Sequence, residues 1–391
     1  MKILIIPSWH PTPERPLWCT WVLPHIAALR EAGHDVYVLQ VDIDLVKDSG
    51  KLKSGEIIQR NKKHIFARLP VKFHKYYRTR FFYGTILKAY SAKVHKLYKI
   101  IENEWGKPDV IHAHVSLPAG YGAAELGEKE KIPVIVTEHY TGFENDAKFW
   151  WRVGVFVKNM GQKVQGFYTV SPGFAKRVEV TRLLNVSGVL PNPIDTDRFH
   201  SIEDKKKSPV FRVVMAGSMD KRKGADVLFE ALNQLLGKLN WSLTLFGTFD
   251  QQSGFQEWLK NPEFSKRVSL PGMVSQQVLT KIYSNSDLYV VSSRIETANV
   301  SMLEAMACGL PVVSTRCGAS ETLLDDSVSI TVPSEDPQAM AEAILTMSNT
   351  IGNYKKKELR EFVIRNYSKK AVADKMINAY QNAIDKTNQV E

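Results

Sequence analysis

Cysteine is scarce in this chain: Cys19, Cys308 and Cys317 are the only three in 391 residues. They are too few and too unevenly placed for a disulfide framework, which points to a reducing, cytoplasmic compartment. Cys19 is expected to be a small buried residue rather than a reactive thiol. No run of 18 apolar residues occurs, so no segment is expected to span a membrane. The opening MKILIIPSWHP has a short apolar run broken by Pro7, and it reads as a β-strand rather than a secretory signal. Acidic residues are missing from one long window: residues 60–99 hold twelve Lys or Arg and no Asp or Glu. That local excess is as large as the net charge of the whole chain, +11.

The same window is rich in aromatics, with Phe66, Phe73, Tyr76, Tyr77, Phe81, Phe82, Tyr83, Tyr90 and Tyr98. Leu87, Tyr90, Val94, Leu97 and Ile101 recur at helical spacing, with Lys88, Lys93, Lys96 and Lys99 between them. One expectation is a helix and loop resting on an anionic bilayer, where each basic residue contributes about 1 kcal/mol. The other is an ordinary amphipathic helix packed on its own domain. No nucleic-acid motif accompanies the basic residues, so no nucleic-acid partner is expected.

At 391 residues the chain is longer than one core usually serves, so two domains are expected. Strand-like runs alternate with helix-like runs: Lys2–Pro7, Asp35–Val41, Asp109–Ala113, Val134–Thr137 and Gly166–Val170 in the first half. Gly188 to His200, GVLPNPIDTDRFH, reads as a hinge. The alternation restarts with Phe211–Ala216, Ser242–Phe246, Arg267–Leu270, Leu288–Val291 and Pro311–Ser314. This pattern predicts an α/β fold with doubly wound parallel sheets. The expected domains are 1–188, a hinge 189–208, a second domain 209–366, and a C-terminal helix 367–391 packing back toward the first domain.

The richest stretch is Glu296 to Thr315, ETANVSMLEAMACGLPVVST. Its two glutamates, Glu296 and Glu304, follow an apolar strand, and ligands of parallel sheets bind beyond the carboxyl ends of the strands. Carboxylates accept hydrogen bonds from vicinal sugar hydroxyls. The amides of Asn299, Val300 and Ser301, at a helix N-terminus, suit phosphate or sugar oxygens. Ser301 and Glu304 also match a capping box, in which case Glu304 would serve its own helix. Gly217 closes a strand ahead of Lys221, Arg222 and Lys223, and a helix follows near Gly224, a second arrangement suited to phosphate. Gly247, Gly272 and Gly318 each follow a strand and allow close approach of backbone to a ligand. In the first half, His139 follows a strand within TEHYTGF, and His112 and His114 share one face of DVIHAHV. Their spacing and the lack of companion cysteines do not fit a metal site, so none is expected. The pairs Asp42–Asp44 and Asp195–Asp197 are read as local structure and not as metal ligands.

Taken together, SWHPTPERPL, DVIHAHV, VTEHYTG, TVSPGFAKRV, VLPNPIDTDRF, GSMDKRKGADVLFEAL and SDLYVVSSRIETANVSMLEAMACGLPVVSTRCGASE resemble the retaining glycosyltransferases of family 4, which have the GT-B fold. The resemblance covers most of the chain. It implies two Rossmann-like domains facing a central cleft, and a metal-independent hexosyltransferase that keeps the anomeric configuration. It implies transfer from a nucleotide sugar, UDP-sugar first, to a glycan or lipid-linked acceptor in capsule, exopolysaccharide or lipopolysaccharide synthesis. No cofactor is implied. The alternatives are a nucleotide-sugar epimerase of the same fold and a non-catalytic sugar-binding subunit. The expected location is cytoplasmic, peripheral on the inner face of the plasma membrane, through residues 60–99.

By the same resemblance, His139, Glu296 and Lys223 are catalytic. Glu304 binds the ribose, and Ser218, Arg222, Gly217, Gly247, Asn299, Val300 and Ser301 line the donor. The backbone of Met273 and Val274 meets the base. Trp18, Cys19, Thr20 and His114 lie on the acceptor side. Three positions depart from the family pattern: Ser218 stands where arginine is common, Leu17 to Thr20 replace a glycine-rich loop, and Gly318–Ala319 replace a glycine pair.

Overall fold

The computed structural model describes residues 1–12, 14–15, 19–46, 57–61, 63–72, 80–143, 147–201, 208–217, 220–248 and 255–389. Trp18, Ser218 and the basic-window residues 62 and 73–79 lie outside them. The chain divides into two compact units. Unit 1 comprises Met1–Val170, Ala175–Asn192 and Val372–Glu391; unit 2 comprises Ser171–Phe174 and Pro193–Ala371.

Unit 1 is built on eight strands: β1 (Lys2–Pro7), β2 (Asp35–Val46), β3 (Ile57–Asn61), β4 (His64–Lys72), β5 (Val110–His114), β6 (Val134–Glu138), β7 (Gly166–Thr169) and β8 (Gly188–Val189). Their order is β3-β4-β2-β1-β5-β6-β7-β8. All pair in parallel except β3 with β4, which run antiparallel. The parallel strands are apolar because both faces are covered; β1 is KILIIP and Ile3, Leu4, Ile5 and Ile6 are all buried. The last helix, Lys369–Asn388, adds Val372, Met376, Tyr380 and Ala383, spaced at three and four residues, to the core beneath β1 and β5.

The basic window departs from a helix-and-loop expectation. Its first part is the hairpin strand β4, and only its second part joins the helix Arg80–Trp105. Leu87, Tyr90, Val94, Leu97 and Ile101, the helical stripe, are at most 1% exposed. They belong to the core of unit 1, so the stripe itself is not free to meet a bilayer.

Unit 2 is a six-stranded sheet: β9 (Phe211–Ala216), β10 (Trp241–Phe246), β11 (Val268–Gly272), β12 (Leu288–Val291), β13 (Val312–Thr315) and β14 (Ser329–Val332). The order is β11-β10-β9-β12-β13-β14, parallel throughout. Central β12, LYVV, is buried along its whole length. Edge strand β11 alternates and carries Pro271, which an edge tolerates because no ladder donor is needed there. The order reverses between β9 and β12, the place where open parallel sheets form a ligand crevice.

Candidate functional site

In unit 2, Lys223 and Glu296 meet at that reversal. The turn Lys221–Lys223 follows β9, with Asp220 capping it by accepting from Lys223 N at 3.0 Å. Gly224 then adopts φ +64°, and the helix Ala225–Gln234 begins. A Cβ on Gly224 would lie 2.0 Å from the carbonyl oxygen of Ser292, so only glycine lets this turn press on the loop after β12. From the other side, Ser292 Oγ donates to the Lys223 carbonyl at 2.9 Å. Arg294 locks the same contact. Its guanidinium donates twice to Asp226, at 2.9 and 2.8 Å, and once to Glu335 at 2.7 Å. Its own amide donates to the Arg222 carbonyl at 2.8 Å.

This clamp presents Lys223 Nζ to Glu296 Oε1 at 2.5 Å. Glu296 is 3% exposed and also accepts from Ser293 Oγ at 2.8 Å and Asn299 Nδ2 at 3.4 Å. Arg222 Nη1 stands 4.0 Å from its other oxygen. A buried carboxylate beside two cations is a polar-rich, low-dielectric site suited to an anionic ligand carrying hydroxyls. Arg294 and Asp226 were not singled out in the sequence. The signal available was Arg294 two residues before Glu296.

The helix after this loop runs Val300–Ala307 and is capped by Asn299, whose Oδ1 accepts from Met302 N at 3.0 Å. Ser301 is therefore inside the helix, and the capping-box alternative for Ser301 and Glu304 does not hold. Val300 and Ser301 contribute the first-turn amides. Glu304 is partly buried, and burial pushes its carboxyl up to about 8. A carboxyl that binds its proton more tightly folded than unfolded makes stability fall as pH rises, here between about pH 5 and pH 8. Glu304→Gln is therefore expected to flatten that decline by about 2 kcal/mol. Urea midpoints of both proteins at pH 5 and pH 8 check it, and equal slopes would contradict it.

Gly217 has φ +137°, with Lys223 Cε 3.1 Å from where its Cβ would be. Gly247, φ +134°, packs its backbone on Gly217, where a Cβ would meet the Gly217 carbonyl at 1.9 Å. Met273 and Val274 follow β11; Met273 is 57% exposed and Val274 packs on the core.

In unit 1 the histidines gather at the carboxyl ends of β5 and β6. His114 Nδ1 and His139 Nε2 are 3.0 Å apart. His139 stacks on Trp21, ring centroids 3.9 Å apart. Its backbone is held by buried Glu138, whose Oε1 accepts from His139 N and Tyr140 N, both at 2.8 Å. Glu138 Oε2 accepts from Ser116 N at 2.9 Å and from Ser116 Oγ. His112 is saturated by the Tyr380 and Thr137 hydroxyls, each at 2.8 Å. Burial lowers all three pKa values well below the usual histidine range, so these rings are neutral at pH 7. His25, from the helix Val22–Glu31, completes the group. It brings a ring nitrogen within 4.8 Å of those of His114 and His139, the one set of metal-capable side chains found among the described residues. Sequence spacing missed it because the three histidines come from three elements.

Cys19 has φ +52°, and burial pushes its thiol up to about 11, so it is not a reactive thiolate at neutral pH. The Thr20 carbonyl accepts from Leu23 N at 3.1 Å, beginning that first helix.

Two family descriptions match. "Glycosyltransferase Family 4" spans residues 20–198, and "Glycosyl transferases group 1" spans residues 210–350. Together the two matches cover most of the chain, which carries a glycosyltransferase family 4 domain and a glycosyl transferases group 1 domain. It is 26% identical over 202 residues to a component of the Arabidopsis thaliana phosphatidylinositol N-acetylglucosaminyltransferase, covering 51% of this chain and 45% of that protein. It is 27% identical over 248 residues to the Bacillus subtilis putative teichuronic acid biosynthesis glycosyltransferase TuaC, covering 61% and 60%. The matched stretches thus span less than two thirds of either relative. Among solved structures, Anabaena HepE in complex with UDP superposes with TM-score 0.70 at 14% identity, covering 97% of this chain and 100% of that one. That likeness establishes the fold of this glycosyltransferase, two parallel-sheet Rossmann-like units.

Proposed function

We propose that this glycosyltransferase moves a hexose from a nucleotide sugar, a UDP-sugar first, to a glycan or lipid-linked acceptor in cell-surface polysaccharide synthesis, with retention of anomeric configuration. The observation that carries the proposal is the buried Lys223–Glu296 pair where the sheet of unit 2 reverses. The two family matches and the UDP bound to Anabaena HepE support it.

In this reading Lys223 leaves Glu296 for the donor diphosphate and stabilises the leaving anion, with Arg222 as the second cation. Preorganised charge of this kind is worth several kcal/mol in a water-poor site. Glu296 then accepts from hydroxyls of the transferred sugar, and Glu304 from the ribose. The amides of Asn299 to Ser301 hold sugar and phosphate oxygens, and the backbone at Met273 and Val274 meets the base. His139 contacts the transferred sugar, and His114, Cys19 and Thr20 serve the acceptor. No carboxylate is assigned as a covalent nucleophile, and the leaving diphosphate takes the acceptor's proton.

Incubation of the purified chain with UDP-sugar, with and without saccharide acceptors, tests the proposal. Acceptor-dependent release of UDP is the expected result. Conversion of donor without acceptor would favour an epimerase, and no turnover with any donor would favour a non-catalytic binding protein.

The membrane proposal is narrower than the basic window. Among the described residues no helix is long and apolar enough to cross a bilayer. Lys88 and Lys96 are exposed on the helix Arg80–Trp105, and Phe81 is 87% exposed near its start. Trp151, 74% exposed, lies on the helix Ala147–Lys163, which packs on the first through Phe156 against Gly84. Basic and aromatic side chains exposed together suit an anionic bilayer surface. Phe81→Ser with Trp151→Ser is expected to reduce sedimentation with phosphatidylserine vesicles at least tenfold, with the melting midpoint unchanged. Undiminished sedimentation would rule this surface out.

A further inference from the structure

We infer that His25, His114 and His139 form a three-imidazole site for a divalent transition metal of the zinc class, and that filling it withdraws His139 from sugar transfer. The coupling to transfer rests on the role proposed above for His139; the metal site itself does not.

Each histidine arrives from a different element: the helix Val22–Glu31, the end of β5, and the residue after β6. One ring nitrogen from each lies within 4.8 Å of the others. Tetrahedral zinc holds imidazole nitrogens about 3.4 Å apart, so side-chain movement of about 1.4 Å closes the set. His139 is the half-buried member.

The ligand chemistry is consistent on His25 and His114. His25 Nδ1 is 3.0 Å from the Trp21 carbonyl, which fixes the proton on that nitrogen and leaves Nε2 with its lone pair. A backbone carbonyl accepting from the far nitrogen is the usual support of a metal-bound histidine. His25 Nε2 and His114 Nε2 are both buried and have no hydrogen-bond partner among the described residues. Leaving a buried polar atom unpaired is costly, and a metal ion would satisfy it. His112 marks the contrast, since both of its nitrogens are already satisfied by hydroxyls. A donor set of imidazoles alone selects zinc, copper or nickel over magnesium or calcium. A metal held by His139 Nε2 would replace its 3.0 Å contact with His114 Nδ1. A His139 ring held on a metal cannot also contact the sugar, so occupancy and the proposed transfer role exclude each other.

Cobalt(II) titration of the purified full chain, read by its visible absorption and by zinc competition, tests the site without any transfer assay. The expected result is one ion per chain. His25→Gln and His114→Gln should each weaken binding at least tenfold, while His64→Gln, outside the group, should bind as the wild type does. Melting midpoints confirm that each variant is folded. Absence of cobalt uptake, or His25→Gln binding like the wild type, would overturn the site. In the transfer assay, one equivalent of zinc should inhibit the wild type at least tenfold, reversibly with EDTA, and spare His25→Gln. Zinc binding without inhibition would overturn the coupling and leave the site standing. A wild type that transfers nothing would count against the proposed function and not against the site.

Discussion

Glu296→Gln is expected to lower the rate of sugar transfer by about 10²- to 10³-fold. The change keeps size and shape but removes the charge that Lys223, Ser293 and Asn299 all face. An amide at this position turns one acceptor into a donor, so it cannot reproduce the grip on sugar hydroxyls. The loss should fall on kcat, with the donor KM changed less, because the contact strengthens as the anomeric carbon gains positive character. Steady-state rates over a range of donor concentrations check this. Transfer at the wild-type rate would remove Glu296 from the site.

Lys223→Met should have an effect of similar or larger size, by a different route. Its Nζ is the cation buried against Glu296, with the side chain 13% exposed. Removing it leaves that carboxylate buried, with Arg222 still 4.0 Å away. Breaking a buried pair from one side costs about 3 kcal/mol, whereas removing both partners costs less. The single variants should therefore each be destabilised, and the Lys223→Met, Glu296→Gln double variant less than their sum. Transfer should fall about 10³-fold in Lys223→Met. If the leaving diphosphate is what Lys223 serves, donor affinity should fall with it. Unaltered donor binding would reassign Lys223 to a purely structural ion pair.

Much of unit 2 was legible in the sequence because its signals are local. A continuous apolar run such as LYVV has only one place to go, a strand covered on both faces, and Phe211–Ala216 and Leu288–Val291 form as the pattern predicts. Glu296 is legible as a candidate because it sits in a short loop after such a strand. Lys223, which the fold sets against it, is legible because Gly217 and Gly224 bracket a cationic turn. Arg294 was missed because its role depends on Asp226 and Glu335, which no spacing relates to it.

The cap at Val300–Ala307 shows the limit of motif reading. Both Asn299 and Ser301 are good cap residues, and the choice is made by where the loop from Glu296 delivers the chain. The hairpin of β3 and β4 was missed for another reason. Lysines and arginines on a strand near a sheet edge disguise its alternation, and the stripe of Leu87 to Ile101 beyond it dominated the window. In unit 1, His114 and His139 were picked from their positions after strands. His25 was not, because a single histidine on an amphipathic helix carries no signal until the fold sets it 4.9 Å, centroid to centroid, from His114.

The most direct measurement of the central claim is the thermal shift of the purified chain with UDP-, GDP- and ADP-sugars, repeated with Lys223→Met and Glu296→Gln. Binding restricted to the folded state adds about 2.7 kcal/mol at a hundredfold excess over Kd. The account predicts a concentration-dependent rise for the wild type with UDP-sugar, and its loss in Lys223→Met. A rise of the same size in both variants, or none in the wild type with any of the three, would contradict it.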